Sequence, residues 1–548
     1  MKIKRFFLKN YIEILVTLLG SLFGFFLMFS TFAVKSGSLF IATKAWSDFA
    51  NHIPLIRSFS LGNNFLPQSP LFPGEPIKYH FLFYSIVGIL ENLGLRIDLA
   101  LNTLSFIGFF VLILMIYFLA KMIFKSKGIG LLGVIFFLFN SSLSFVYFLK
   151  NYPLSSNTIN DIISNKDFQS FAPYGKGIVS AFWNLNIYTN QRHLAISFAL
   201  SLFIIYQIIK PIFQKKEIPT KIYIILGIVL GLTFFLHLAV LLMTIIVILC
   251  FAISFSSVRK NCFLLLIIAA CIALPQYLYL KETPGFTPSF VIGFLTANNF
   301  TFFKFTEFWI YNLGLSIILI PLGFLFANRN QKKILLTFFM IFIIGNVIQF
   351  SPEIAANHKF FNYFLLVGNM FSAYFLLKLW HKRLFFKSLA IIVFFFMIFG
   401  GIIDFFPIYN DTKIELPDYR LNQDSFWIKN NTKPNSIFLN TTYLYDPASL
   451  AGRKIFMGWP YFSWSNGYNT NKRYSDMKAM LSTNNLSYVC KLLKQNNINY
   501  VEIKIQNPPD PNIPAISNLF HSQFVRLYEN PNNSYFIYDV DSTCSAKE

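Results

Sequence analysis

Residues 45–86 read AWSDFANHIPLIRSFSLGNNFLPQSPLFPGEPIKYHFLFYSI and lie between two long apolar runs. Asp48 and His52 are four apart, so on a helix they share one face. Arg57 follows, and a Gly- and Pro-rich stretch leads to Lys78, Tyr79 and His80 just before the chain turns apolar again. A carboxylate held near basic groups suits a general base beside a bound phosphate. A solvated loop in which Asp48 caps a short helix fits the same spacing.

Two further clusters carry similar chemistry. Residues 150–191 supply Asp161, Asp167 and Lys176, and Arg192 and His193 stand at the mouth of the next apolar run. A guanidinium there pairs with a phosphate while its stem packs in the interface, or simply snorkels. SPEIAANHKFFNYF, residues 351–364, places Glu353, Asn357, His358 and Lys359 at the start of another run. His358 and Lys359 there contact either phosphates or other protein groups. His237 is isolated in an apolar stretch and reads as a structural histidine. Near the end, Arg453 and GWPYFSWSNGY (458–468) offer rings that suit either sugar stacking or contact with a membrane surface. No phosphate-binding glycine loop or dinucleotide fingerprint is present, and no CxxC or His-rich stretch points to zinc. No residue is assigned as a metal ligand.

The elements that position these residues are membrane helices. Charged residues make up 13% of the chain, against about 25% for soluble proteins. A single soluble core stops growing near 250–300 residues, so over 548 residues most of this apolar surface must face lipid. The net charge of +22 lies mainly in short clusters between apolar runs, which marks cytoplasmic loops rather than nucleic-acid binding. The candidate spans are 11–34, 99–120, 129–149, 192–209, 222–236, 238–256, 262–280, 309–327, 334–350, 359–379 and 388–407. If the short segment 80–95 does not cross, six basic clusters fall in the cytoplasm together. The expectation is therefore a polytopic α-helical membrane protein of about eleven transmembrane helices with a cytoplasmic N-terminus.

Residues 1–407 then form the membrane domain, with outer loops 35–98, 150–191 and 281–308. Residues 408–548 form an extracytoplasmic α/β domain. SIFLN (436–440) and INYVEIKI (498–505) have strand character, while SDMKAMLS and LSYVCKLLKQNN have helical spacing. Five cysteines are too few for a disulfide framework. Cys490 and Cys544 can pair only if the tail lies outside the cytoplasm.

An acidic residue soon after the first span, a long first outer loop and a many-helix body resemble the GT-C glycosyltransferases. The stretches around Asp48 to Gly62, Tyr79–His80 and Asn357 to Tyr363 are similar to uncharacterised bacterial and archaeal members. So are the tail segments FWIKNNTKPNSIFL and AGRKIFMGWPYFSWSNGY. The resemblance implies a cell-membrane, multi-pass inverting glycosyltransferase. It would move a sugar from a polyprenyl-phosphate carrier to a glycan, lipid or protein acceptor on the outer face. Asp48 would be the catalytic acidic residue, with Arg192, His358 and Lys359 on the departing phosphate and His52 and His80 orienting Asp48 or the acceptor. Lys78, Tyr79 and His193 complete the substrate-binding candidates. Some relatives also use a divalent metal. Subfamilies with a paired Asp–Glu differ from this chain, where Ser47 and Phe49 flank Asp48. The rival classes are a transporter or flippase of a lipid or amphiphile, and an inactive GT-C-like scaffold.

Overall fold

The computed structural model describes residues 2–140, 142–169, 179–281, 286–506, 508 and 510–545, and Lys176 lies outside them. The first helix, α1 (Lys2–Thr31), runs straight into a hairpin of β1 (Phe32–Lys35) and β2 (Ser38–Ala42). The two turn residues, Ser36 and Gly37, both have positive φ, which matches the twist of a two-residue hairpin and favours glycine at the second place. β2 has its other edge paired, antiparallel, with β3 (Lys413–Pro417). The chain that follows the first helix and the chain that follows the apolar helix ending at Tyr409 therefore share a three-stranded sheet.

The loop after β2 forms α2 (Trp46–Ser60), which carries Asp48, and α3 (Leu82–Asn92). Eleven residues rise about 16 Å, roughly half the hydrocarbon thickness, so α3 is too short to cross. The remaining long elements are α4 (Ile97–Phe124), α5 (Lys127–Leu138), α6 (Leu194–Gln214), α7 (Thr220–Leu232), α8 (Leu238–Ser254) and α9 (Arg259–Lys281). They continue with α10 (Phe302–Leu313), α11 (Ser316–Phe326), α12 (Arg329–Val347), α13 (His358–Trp380) and α14 (Leu384–Tyr409).

Each of the eleven expected spans contains helix, but the number able to cross as one straight rod is smaller. Among the described residues six helical stretches are long and apolar enough, namely Lys9–Thr31, Ile97–Phe124, Leu194–Gln214, Ser256–Leu280, Ile354–Trp380 and Leu384–Tyr409. α10 and α11 make a seventh only as a pair bent by 84°. α5, α7 and α8 are shorter apolar helices, and α12 opens on a polar basic turn from Arg329 to Lys333. α4 lies centrally, packed between α1, α5 and α6.

Past β3 the chain builds a five-stranded sheet. Its spatial order is β5 (Lys454–Ile455), β4 (Ile437–Leu439), β6 (Tyr500–Lys504), β8 (Tyr535–Asp539) and β7 (Val525–Asn530). β4 runs parallel to both its neighbours, and β6, β8 and β7 alternate. Helices Thr470–Ser482 and Leu486–Gln495 bury Met477, Met480, Leu481, Val489 and Leu493 in a core shared with the strand residues Val501, Ile503 and Tyr538. A disulfide joins Cys490 to Cys544.

This region is bolted to the first loop. Arg57, 1% exposed, holds Glu91 at 2.7 Å and Asp418 at 2.7 Å. Arg453 donates to the carbonyls of Leu61, Lys429 and Thr432. Gly62 and Gly452 meet so closely that a Cβ on Gly62 would sit 2.2 Å from the Gly452 carbonyl oxygen.

Candidate active site

α2 follows the hairpin directly and presents Asp48 in its first turn, with His52 one turn further on. Asp48 is half-buried and has no hydrogen-bond partner among the described residues. Burial pushes its carboxyl up to about 6, against the pull of the Lys359 ammonium. Lys359 stands in the first turn of α13. The two charges feel one another, and among the described residues they do not touch as an ion pair.

Around this carboxylate lies an aromatic shell. His52 is fully buried, with its Nε2 3.3 Å from the Tyr79 hydroxyl and its ring stacked on Tyr84 at 4.4 Å. Burial pushes the His52 imidazole down to about 3, with the nearby Arg192 acting in the same direction. The Tyr79 and Tyr445 hydroxyls are raised by burial first and by the Asp48 charge second. Tyr445 comes from the tail, packs its ring at a tilt against Trp46 with centroids 4.1 Å apart, and donates to the Trp46 carbonyl at 2.5 Å. The tail thus closes one side of the site. Tyr461, in the aromatic tail segment, donates to Glu353 at 3.0 Å, just ahead of α13.

Three histidines meet beside this shell. His80 stacks on His237 at 3.9 Å between centroids and lies 4.9 Å from His193, and His193 and His237 are 5.1 Å apart. One ring nitrogen from each lies within 4.8 Å of the others. Local backbone brings them in: His193 precedes α6, His237 precedes α8, and the Leu82 amide donates to the Phe235 carbonyl at 3.1 Å. The Tyr84 hydroxyl is 2.9 Å from His193 Nδ1. His193 Nε2 and both ring nitrogens of His237 are buried with no partner. Burial pushes His80 down to about 3 and holds His193 and His237 well below the ordinary histidine range, so all three are neutral donors at pH 7. These are the described residues best able to hold a metal.

Several sequence candidates sit elsewhere in the arrangement. Arg192 is fully buried, donating to the carbonyls of Thr189 and Met28, to Asn102 and to Thr31, with Phe49 beneath its guanidinium. It ties the end of α1 to α2, α4 and α6. Lys78 pairs with Glu75 at 2.8 Å and donates to the Gly467 carbonyl at 3.2 Å, so it fastens the loop to the tail. His358 Nδ1 is 2.7 Å from the Ala355 carbonyl, and its ring stacks on Phe182 at 4.4 Å. His358 Nε2 is buried without a partner. Sequence reasoning missed His237, Tyr84 and Tyr445. For His237 the signal was its place at the turn between two short apolar runs, on the side the charge pattern assigns to loop 35–98.

The assembled features are those of a polytopic membrane protein with a half-buried carboxylate, Asp48, walled on one side by its tail. No family model matches the sequence, and no curated protein does. Solved structures of the Archaeoglobus fulgidus oligosaccharyltransferase do match in fold. One, tethered to an acceptor peptide containing the NVT sequon, has a TM-score of 0.51 at 14% identity, covering 98% of this chain and 74% of that one. A second, the archaeal oligosaccharyltransferase AglB with an inhibitory peptide and a dolichol-phosphate, has a TM-score of 0.51 at 12% identity, covering 97% and 74%. The apo form of the same enzyme gives 0.50 at 14% identity, covering 97% and 75%. The chain has the GT-C fold that its sequence resembles.

Proposed function

We propose that the chain is an inverting glycosyltransferase that moves a sugar from a polyprenyl-phosphate carrier to an acceptor at the outer face of a membrane. Asp48 accepts the proton of the acceptor hydroxyl as that oxygen attacks the anomeric carbon. The bond from that carbon to the phosphate oxygen breaks on the opposite side of the sugar ring, and the phosphate leaves with the electron pair. Lys359, with the unpartnered His358 Nε2 beside it, meets the developing negative charge. His52 and Tyr79 hold the shape of the pocket, and Arg192 positions α2 within it.

The observation that carries this reading is the half-buried Asp48 carboxylate, which has no hydrogen-bond partner among the described residues and feels the Lys359 cation without pairing with it. The oligosaccharyltransferases of the same fold support it, since they were captured with an acceptor peptide and with dolichol-phosphate. The disulfide in the tail favours an oxidising compartment, hence an extracytoplasmic tail and a cytoplasmic N-terminus. The acceptor is a glycan, lipid or protein. In membranes supplied with polyprenyl-phosphate sugars, Asp48→Asn should lower turnover by about 10²–10⁴-fold. Wild-type turnover in that variant would remove Asp48 from the mechanism.

A further inference from the structure

We propose that His80, His193 and His237 form a binding centre for a zinc-class dication, with a fourth coordination position left open beside His80, the one partly exposed member of the three. The donor geometry is favourable. One nitrogen from each ring already lies within 4.8 Å of the other two. Tetrahedral coordination with metal–nitrogen bonds of about 2.0–2.1 Å needs donors roughly 3.3 Å apart, so small ring rotations close the site.

The burial pattern points to the same place. His193 Nε2 and both nitrogens of His237 are buried without a hydrogen-bond partner, a costly arrangement that a cation bound to one nitrogen of each ring would partly relieve. The Tyr84 hydroxyl on His193 Nδ1 is the outer contact that commonly orients a metal-binding imidazole. Three donors with one place left over is the pattern of a catalytic rather than a structural zinc site.

The chemistry of the donors selects the ion. Three neutral imidazoles suit Zn²⁺, Co²⁺ or Ni²⁺, whereas Mg²⁺ and Ca²⁺ need oxygen ligands. A ligand set without a negative charge leaves the bound cation its full +2, so the fourth position would favour an anion such as a phosphate oxygen or hydroxide. The inference stands on the donor set alone and does not require the transferase reading.

The test uses the full-length chain, purified in detergent without a histidine tag, stripped with a chelator and reloaded with Zn²⁺, Co²⁺ or Mg²⁺. Bound metal is counted by mass spectrometry, and Co²⁺ geometry is read from its visible spectrum. One equivalent of Zn²⁺ should bind in the presence of excess Mg²⁺, and Co²⁺ should give a tetrahedral spectrum. His237→Gln and His80→Gln should each lower Zn²⁺ affinity by more than 100-fold, and Tyr84→Phe by about 10–100-fold. His521→Gln, in the tail, should leave it unchanged. The metal-free melting temperature of each variant, compared with metal-free wild type, separates loss of ligation from loss of folding. Sub-stoichiometric Zn²⁺ in the wild type, or full Zn²⁺ in folded His80→Gln and His237→Gln, would overturn the proposal. Because occupancy is read without turnover, this result stands apart from the outcome for Asp48→Asn.

Discussion

Asp48 and Lys359 set the response of the site to pH. With the carboxyl pushed up to about 6 by burial, the proton-accepting form dominates only above that value. Transfer should therefore fall as pH drops through about 6, seen as the acidic limb of a kcat against pH profile. Lys359 holds the carboxyl below where burial alone would put it. Lys359→Met should move that limb to higher pH as well as lower the rate, and an unmoved limb would separate the two residues. Much of this centre is readable from spacing: the four-residue interval from Asp48 to His52 puts them on one face. Lys359 stands out as a cation entering a span on the wrong side for the charge trend. For His237 only its place at a turn is readable, because one histidine in an apolar run gives no sign of which partners, far away in sequence, it will meet.

At the level of elements, each of the eleven apolar runs contains helix among the described residues, but the hydropathy pattern did not show where helices stop. The expected span 309–327 is two helices with a bend at Gly314, whose φ is +53°, and 222–236 yields only the thirteen-residue α7. Window averages respond to composition, and a break costs too few residues to register. The contact between α2, α3 and the tail escaped the sequence for another reason: it depends on which partners Arg57 meets. Arg57→Ala leaves Glu91 and Asp418 mostly buried and uncompensated, which should destabilise the docking by about 3–5 kcal/mol. Thermal unfolding in detergent, followed by protease release of the tail, would measure it. Arg57→Lys should not restore the wild-type value, since a single ammonium cannot reproduce the planar fork that reaches both carboxylates.

For the whole molecule, the α/β character of the tail was legible from its alternating strand and helix patterns, whereas its seat on the first loop was not. The Cys490–Cys544 disulfide closes a 54-residue separation that includes β6, β7 and β8. Cys490→Ser should weaken the tail by about 2–4 kcal/mol, seen as faster proteolysis of that region while the helical body persists. A gel-mobility difference on reduction of the wild type, absent in the variant, would report the bond itself. The three-stranded sheet carries one more implication, about biosynthesis. β2 ends at Ala42 and its outer neighbour begins at Lys413. At ribosomal rates of about 5–20 residues per second, roughly 20–75 s separate the emergence of the two strands. For that interval the newborn hairpin has a bare edge, and the pocket has no roof. Assembly must finish from the last-made part backwards, so a protein cut short before residue 413 would insert its helices yet never gain the tail wall that Tyr445 builds beside Asp48.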